Sequence, residues 1–116
     1  MLDGPYKKLI IWQKAKSLVK VVYALTKTFP ADERYALTDQ LRRAVVSIPS
    51  NIAEGSGRNS KKELVHFLAI ARGSVYEVIT QLNVAKRQNL LADIVEAESH
   101  ANEIARILTT LISRNS

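Results

Sequence analysis

The chain has 116 residues, 47% of them hydrophobic and none of them cysteine, which predicts one domain with a real core and excludes disulfides and thiolate metal sites. Its formal charge is +6 with a pI near 9.8, a balance that attracts polyanions. Met1-Leu2-Asp3-Gly4-Pro5 has no basic segment followed by a long apolar run, and no stretch reaches the roughly 18 apolar residues of a membrane span, so a soluble cytosolic protein without a signal peptide is expected.

The first helix is predicted from about Ile10 to Lys27. Ile11, Ala15, Leu18, Val22, Leu25 and Phe29 recur at 4-3-4-3-4 spacing, and Pro30 stops the pattern. Residues 31–37 read as a polar loop or short turn. Thr38 is the expected N-cap of the second helix, with Asp39 in its first turn, where a carboxylate suits the helix dipole. Leu41, Val45, Ile48 and Ile52 keep helical spacing across Pro49. A proline there removes one backbone hydrogen bond, crowds the Val45 carbonyl and costs roughly 3 kcal/mol. The reading is one kinked helix ending near Glu54, with Gly55 and Gly57 terminating it.

Ser60 followed by Glu63 is a capping box that starts the third helix. It continues to about Gln88, about 42 Å at 1.5 Å per residue. Its seam is Leu64, Phe67 or Leu68, Ala71, Val75, Val78, Leu82 and Ala85. The fourth helix is predicted from Ala92 to Ser113, with a seam of Ile94, Ala97, Ala101, Ile104, Leu108 and Leu111. No alternating β-branched run competes with this reading. Four amphipathic helices joined by short loops predict an all-α, antiparallel up-down-up-down four-helix bundle spanning 1–116 as one domain.

The segment Ser47-Ile48-Pro49-Ser50-Asn51-Ile52-Ala53-Glu54-Gly55 resembles the signature of small four-helix-bundle proteins encoded in intervening sequences of bacterial large-subunit ribosomal RNA genes. Ile10-Ile11-Trp12-Gln13-Lys14-Ala15 resembles that family's first helix. Leu37-Thr38-Asp39-Gln40-Leu41-Arg42-Arg43-Ala44 resembles the start of its second, and Gly73-Ser74 with Glu77, Gln81 and Leu82 its third. The resemblance runs from about Tyr6 to about Leu91, and the last helix matches by pattern only. A related bundle accompanies the reverse transcriptases of diversity-generating retroelements, where it forms a pentamer and binds nucleic acid. The resemblance therefore implies a homopentamer with nucleic acid as partner.

Charge is unevenly distributed. Residues 1–62 hold 12 Lys/Arg against 5 Asp/Glu, a balance of +7, and residues 63–116 hold 5 against 6, a balance of −1. The glycine turn Gly55-Ser56-Gly57 leads into Arg58, Lys61 and Lys62 at a helix N-terminus. This is phosphate-friendly, although it lacks the Gly-Lys-Ser/Thr ending and the preceding strand of a P-loop. With Lys7, Lys8, Arg42 and Arg43 these residues form the candidate nucleic-acid surface. Arg42 has a competing reading as a structural ion-pair partner. The few aromatic residues suit core or interface positions, so shape and phosphate contact are expected rather than single-strand readout.

Surplus apolar surface points to self-association through Trp12, Ile70, Gly73, Ser74 and Glu77. At Gly73-Ser74 a close backbone approach is expected, either inside the bundle or between subunits. Pro49, Asn51, Glu54 and Gly55 are assigned structural roles, with Asn51 and Glu54 bonding to backbone or to Arg58 and Lys61. Glu63 and His66 form a Glu-x-x-His pair, but the second histidine, His100, has Glu96 at a different spacing. Two solvated histidines are favoured over a metal site, and no cofactor is expected. Glu54 has no nucleophile or histidine near it in sequence, so no catalytic residue is assigned. The leading expectation is a non-enzymatic, basic, oligomeric bundle that binds structured nucleic acid, RNA first. The rival is a ring that serves as a platform for a protein partner.

Overall fold

The structure, a computed structural model, describes Tyr6 and residues 9–116. Four helices carry the fold: α1 (Ile10–Thr26), α2 (Asp39–Ser56), α3 (Lys61–Arg87) and α4 (Val95–Asn115). Among the described residues there is no strand. The expectation of an all-helical bundle holds. α2 packs most extensively on α3, α3 packs on α4, α1 packs on α2, and α1 meets α4 through the smallest of these contacts.

The core consists of the spaced apolar positions. Ile11, Ala15, Leu18 and Val22 of α1 are buried, as are Leu41, Val45, Ile48 and Ile52 of α2. On α3 the inward residue is Leu68; Phe67 is only half-buried. Leu25 and Phe29 also slip to half-buried positions, and Thr26 takes the buried place at the end of α1. A straight helix drifts about 20° per heptad from a strict seven-residue repeat, about 40° over two heptads, enough to turn Leu25 toward the rim and Thr26 toward the core, while Phe29 lies beyond the end of α1. The Thr26 hydroxyl donates to the Val22 carbonyl at 2.9 Å, which satisfies it in the core.

Several helix boundaries differ from expectation. Thr38 has helical backbone angles and makes no capping bond, because a 3-10 turn (Ala31–Glu33) and a single π-turn (Arg34–Thr38) run directly into α2. Asp39 instead pairs with Arg43 one turn on, Oδ2 to Nε at 3.1 Å. Gly55 lies inside α2 rather than ending it, and Gly57 is the C-cap. Ser60 does cap α3, accepting from the Glu63 amide at 3.1 Å. α4 begins three residues later than expected, where Asp93 Oδ1 accepts from the Val95 amide at 2.9 Å. Leu91 and Ile94 of the preceding loop are buried.

α3 ends in a Schellman motif. The Leu90 amide donates to the Ala85 carbonyl at 2.9 Å and the Asn89 amide to the Lys86 carbonyl at 3.0 Å. Asn89 sits at φ 61°, a left-handed conformation that asparagine tolerates better than most residues. The 27 residues of α3 span about 40 Å. The longest molecular axis is 43 Å, so the bundle is simply as tall as this helix.

α2 runs unbroken through Pro49, whose ring is buried. Pro49→Ala supplies an amide that can donate to the Val45 carbonyl, so far-UV circular dichroism is expected at or above the wild-type helicity. A loss of helical signal would mean that packing of the ring, not the backbone, holds this part of α2.

Candidate nucleic-acid interface

One face of α1 carries Trp12, Lys16, Lys20, Tyr23 and Lys27. Their 4-4-3-4 spacing aligns them beside the buried seam. The two aromatic rings are half-buried and the three lysines are exposed. Lys16 Nζ lies 4.7 Å from the Trp12 ring centroid, and Tyr6 meets the same ring edge-on at 5.1 Å. The Arg42 guanidinium of α2 stacks on Tyr23 at 4.5 Å, and its Nε donates to Thr26 Oγ1 at 2.9 Å. Arg42 thus ties the start of α2 to the end of α1, as a structural partner would.

Between these helices is an open groove of about 440 Å³ lined by Tyr23, Asp39, Arg42, Arg43, Val46, Ser47 and Ser50. The Arg43 side chain is 81% exposed despite its bond to Asp39. Arg43 borders this groove, and the exposed α1 lysines lie on the helix face that carries Tyr23, its one lining residue from α1. An ammonium on a flexible stem contacts phosphate as a point charge and carries no base preference. Lys16, Lys20 and Lys27 were not singled out in the sequence. Their signal was present as an exposed 4-7 spacing off the apolar seam, but such lysines read equally well as a solvated face.

The expected basic surface divides in two. Arg43 and Arg58 are fifteen residues apart, about 22 Å along a helix. Arg58 is largely occupied: its Nη2 bonds Glu54 Oε2 at 3.2 Å, and its guanidinium covers the Phe67 ring at 4.8 Å. Its Nε is sealed from solvent with no hydrogen-bond partner among the described residues. Lys61 and Lys62 remain exposed in the first turn of α3. Lys7 and Lys8 lie outside the described residues.

The expected self-association residues also separate. Trp12 is on α1 and Ile70 on α3, two helices that share no substantial contact. Ile70 is 40% exposed, and a methyl group at Gly73 would have nothing within 4 Å. The close approach expected at Gly73 is therefore not made among the described residues. It occurs at Gly55, where a Cβ would stand 3.0 Å from Phe67 Cβ and 3.3 Å from Leu64 Cδ1. Ser74 is buried, its Oγ 2.8 Å from Ser47 Oγ. Asn51 Nδ2 donates to the Ser47 carbonyl at 2.8 Å and to Ser47 Oγ at 2.9 Å, so a half-buried polar cluster lies between α2 and α3. Glu77 is exposed beside that cluster. Tyr76 and Val84 extend the exposed side of α3 that begins at Ile70.

Glu63 and His66 are exposed, and His66 packs edge-on against Phe67 at 5.2 Å. Among the described residues, no three His, Asp or Glu side chains converge as a metal site would require. No helix is long and apolar enough to cross a membrane among the residues described. No curated protein matches the chain. A family model, that of the 23S rRNA-intervening sequence protein, matches residues 7–110 and thus takes in most of α4, which the residue motifs reached only by pattern. That match and the four-helix architecture together place the chain in the 23S rRNA-intervening sequence protein family.

Proposed function

We propose that this chain is a non-enzymatic, cytoplasmic, homo-oligomeric bundle, a pentamer on the family resemblance, that binds structured RNA by phosphate contact along the α1–α2 edge. The observation that carries this reading is the row of exposed lysines Lys16, Lys20 and Lys27 on the same face of α1 as Tyr23, the residue through which α1 meets Arg42 and lines the open groove with Arg43. These cations are exposed, and among the described residues none of the three lysines has an acidic partner. A ring would repeat the row and raise affinity through avidity. A second reading, a platform for a protein partner, draws on the outward Ile70, Tyr76 and Val84 of α3.

The test is RNA binding measured across a salt series. Replacing Lys16, Lys20 and Lys27 together by Gln is expected to weaken binding to structured RNA and reduce the slope of log K against log salt by about 2–3. Helicity should not change, because all three side chains are exposed. Replacing Lys61 and Lys62 is expected to have the smaller effect. Absence of wild-type binding to any structured RNA or duplex DNA at low salt would remove this reading in favour of the platform. Unchanged slope in the triple variant would move the contact surface elsewhere.

A further inference from the structure

The seam between α3 and α4 holds an open groove of about 450 Å³, lined by Tyr76 of α3 and by Asn102, Ala105, Arg106, Thr109 and Thr110 of α4. We infer that this groove takes one unpaired nucleotide of a bound RNA strand, its base stacked on the Tyr76 ring and its phosphate on the Arg106 guanidinium. Its ligand class rests on the RNA reading above, but the site shares no helix with the α1–α2 edge.

Tyr6, Trp12, Tyr23, Phe29 and Phe67 are all half-buried, whereas Tyr76 is 52% exposed. A cation of the chain covers each of the Trp12, Tyr23 and Phe67 rings. Among the described residues, Tyr76 meets neither a cation nor another ring. An aromatic ring left uncovered beside a groove offers a π-face on which any base stacks.

Across from it, Asn102, Arg106 and Thr110 recur at four-residue spacing and so share one side of α4. Among the described residues, none of these three side chains has a hydrogen bond or an ion pair. Arg72 Nη1 donates to Thr109 Oγ1 at 3.2 Å, which brings a second guanidinium to the rim and leaves the Thr109 hydroxyl hydrogen to donate elsewhere. No carboxylate lines the groove. Glu103 is turned to Lys14 of α1, and Glu77 lines the α2–α3 side. Residues 104–116 hold two arginines and no acid, although residues 63–116 as a whole carry −1. The field is therefore positive where the ring is exposed.

The combination selects a nucleotide over other anions. Inorganic phosphate would use the arginines and leave the ring bare. An acidic peptide would pair with Arg106, but a carboxylate side chain has no flat face for Tyr76 and no donor for the Asn102 carbonyl oxygen. A base has both a π-face and an edge of donors and acceptors that an asparagine amide matches. It must be unpaired, because a base inside a duplex is stacked between its neighbours. A strand fits better than a free nucleotide. Arg114, exposed and without a partner among the described residues, continues the Asn102-Arg106-Thr110 column about 12 Å beyond Arg106, in reach of a further phosphate.

Fluorescence anisotropy with two labelled probes, a single-stranded oligoadenylate and a fully paired RNA duplex, tests this. Wild type is expected to bind both. Tyr76→Leu keeps an apolar side chain without a π-face; it should weaken oligoadenylate binding about five- to a hundredfold and leave the duplex unchanged. Tyr76→Phe should bind like wild type. Arg106→Gln should lower the oligoadenylate salt slope by about 0.7. Both positions are exposed, and circular dichroism with light scattering checks fold and assembly. A wild type that binds neither probe would remove the RNA reading and this site together. Binding of the duplex alone, or oligoadenylate binding that survives Tyr76→Leu, would overturn this site only. An equal loss on the duplex would do the same, as would a fall in assembled mass, which would make Tyr76 a subunit contact. Adenosine monophosphate that competes as well as unlabelled oligoadenylate would overturn the strand as occupant in favour of a free nucleotide.

Discussion

Leu68→Ala lowers the unfolding free energy by about 2–5 kcal/mol, while Ile10→Ala leaves it within about 0.5 kcal/mol. Both substitutions shorten a branched aliphatic side chain to a methyl group. They differ in what surrounds that side chain. Leu68 is fully enclosed on the core face of α3, the helix that packs against both α2 and α4. Truncation there loses its transfer free energy and leaves a cavity that long, regular helices collapse into only in part. Ile10 is 69% exposed at the first position of α1. Urea titrations of the two variants beside wild type check this, with unchanged m-values expected because the surface exposed on unfolding is nearly the same. A loss under 1 kcal/mol for Leu68→Ala would contradict the packing described for α3.

The two glycines are expected to respond to alanine with opposite signs. Gly73→Ala should raise stability by about 0.5–1 kcal/mol, since the new methyl meets no atom and a mid-helix glycine is entropically costly. The same entropic gain is available at Gly55, but there the methyl collides with Phe67 Cβ. That atom is fixed directly to the α3 backbone, so relief requires moving one helix away from the other. The net expectation is a destabilisation of about 1–3 kcal/mol. Thermal unfolding should show the transition shifted in opposite directions. Two shifts of the same sign would mean that the α2–α3 crossing yields more easily than a packed helix pair should. Gly73→Ala has a second readout: a drop in assembled mass would locate a subunit contact at that residue.

The helices were readable because apolar spacing survives any detail of packing. Ile11 to Val22, Leu41 to Ile52 and Leu64 to Ala85 all turn inward as their periods require. Failures cluster where a local signal was overruled by neighbours. Thr38 has good capping chemistry, but the π-turn before it already supplies helical backbone. Gly55 reads as a helix terminator, yet its missing side chain serves the contact with Phe67. The candidate site was less accessible for the same reason. Sequence lists charges without saying which are tied down. Arg42 and Arg58 look like free cations until Tyr23, Thr26, Glu54 and Phe67 are placed beside them. The α1 lysines look like ordinary surface until Tyr23, on the same helix face, is seen to meet Arg42 and to line the groove with Arg43.

The seam between α1 and α4 has a consequence during synthesis. The other helix pairs are neighbours in the chain and are able to form as soon as each helix is made. The Lys14–Glu103 bridge instead joins residues 89 positions apart. At ribosomal rates of about 5–20 residues per second, α1 waits roughly 4–18 seconds for its last partner. For that interval the nascent chain carries a helix whose Ile11-Ala15-Leu18-Val22 face is covered on the α2 side alone. The lysines beside that face add like charge to every copy emerging nearby, which opposes premature association between neighbouring nascent chains while α4 is still being translated.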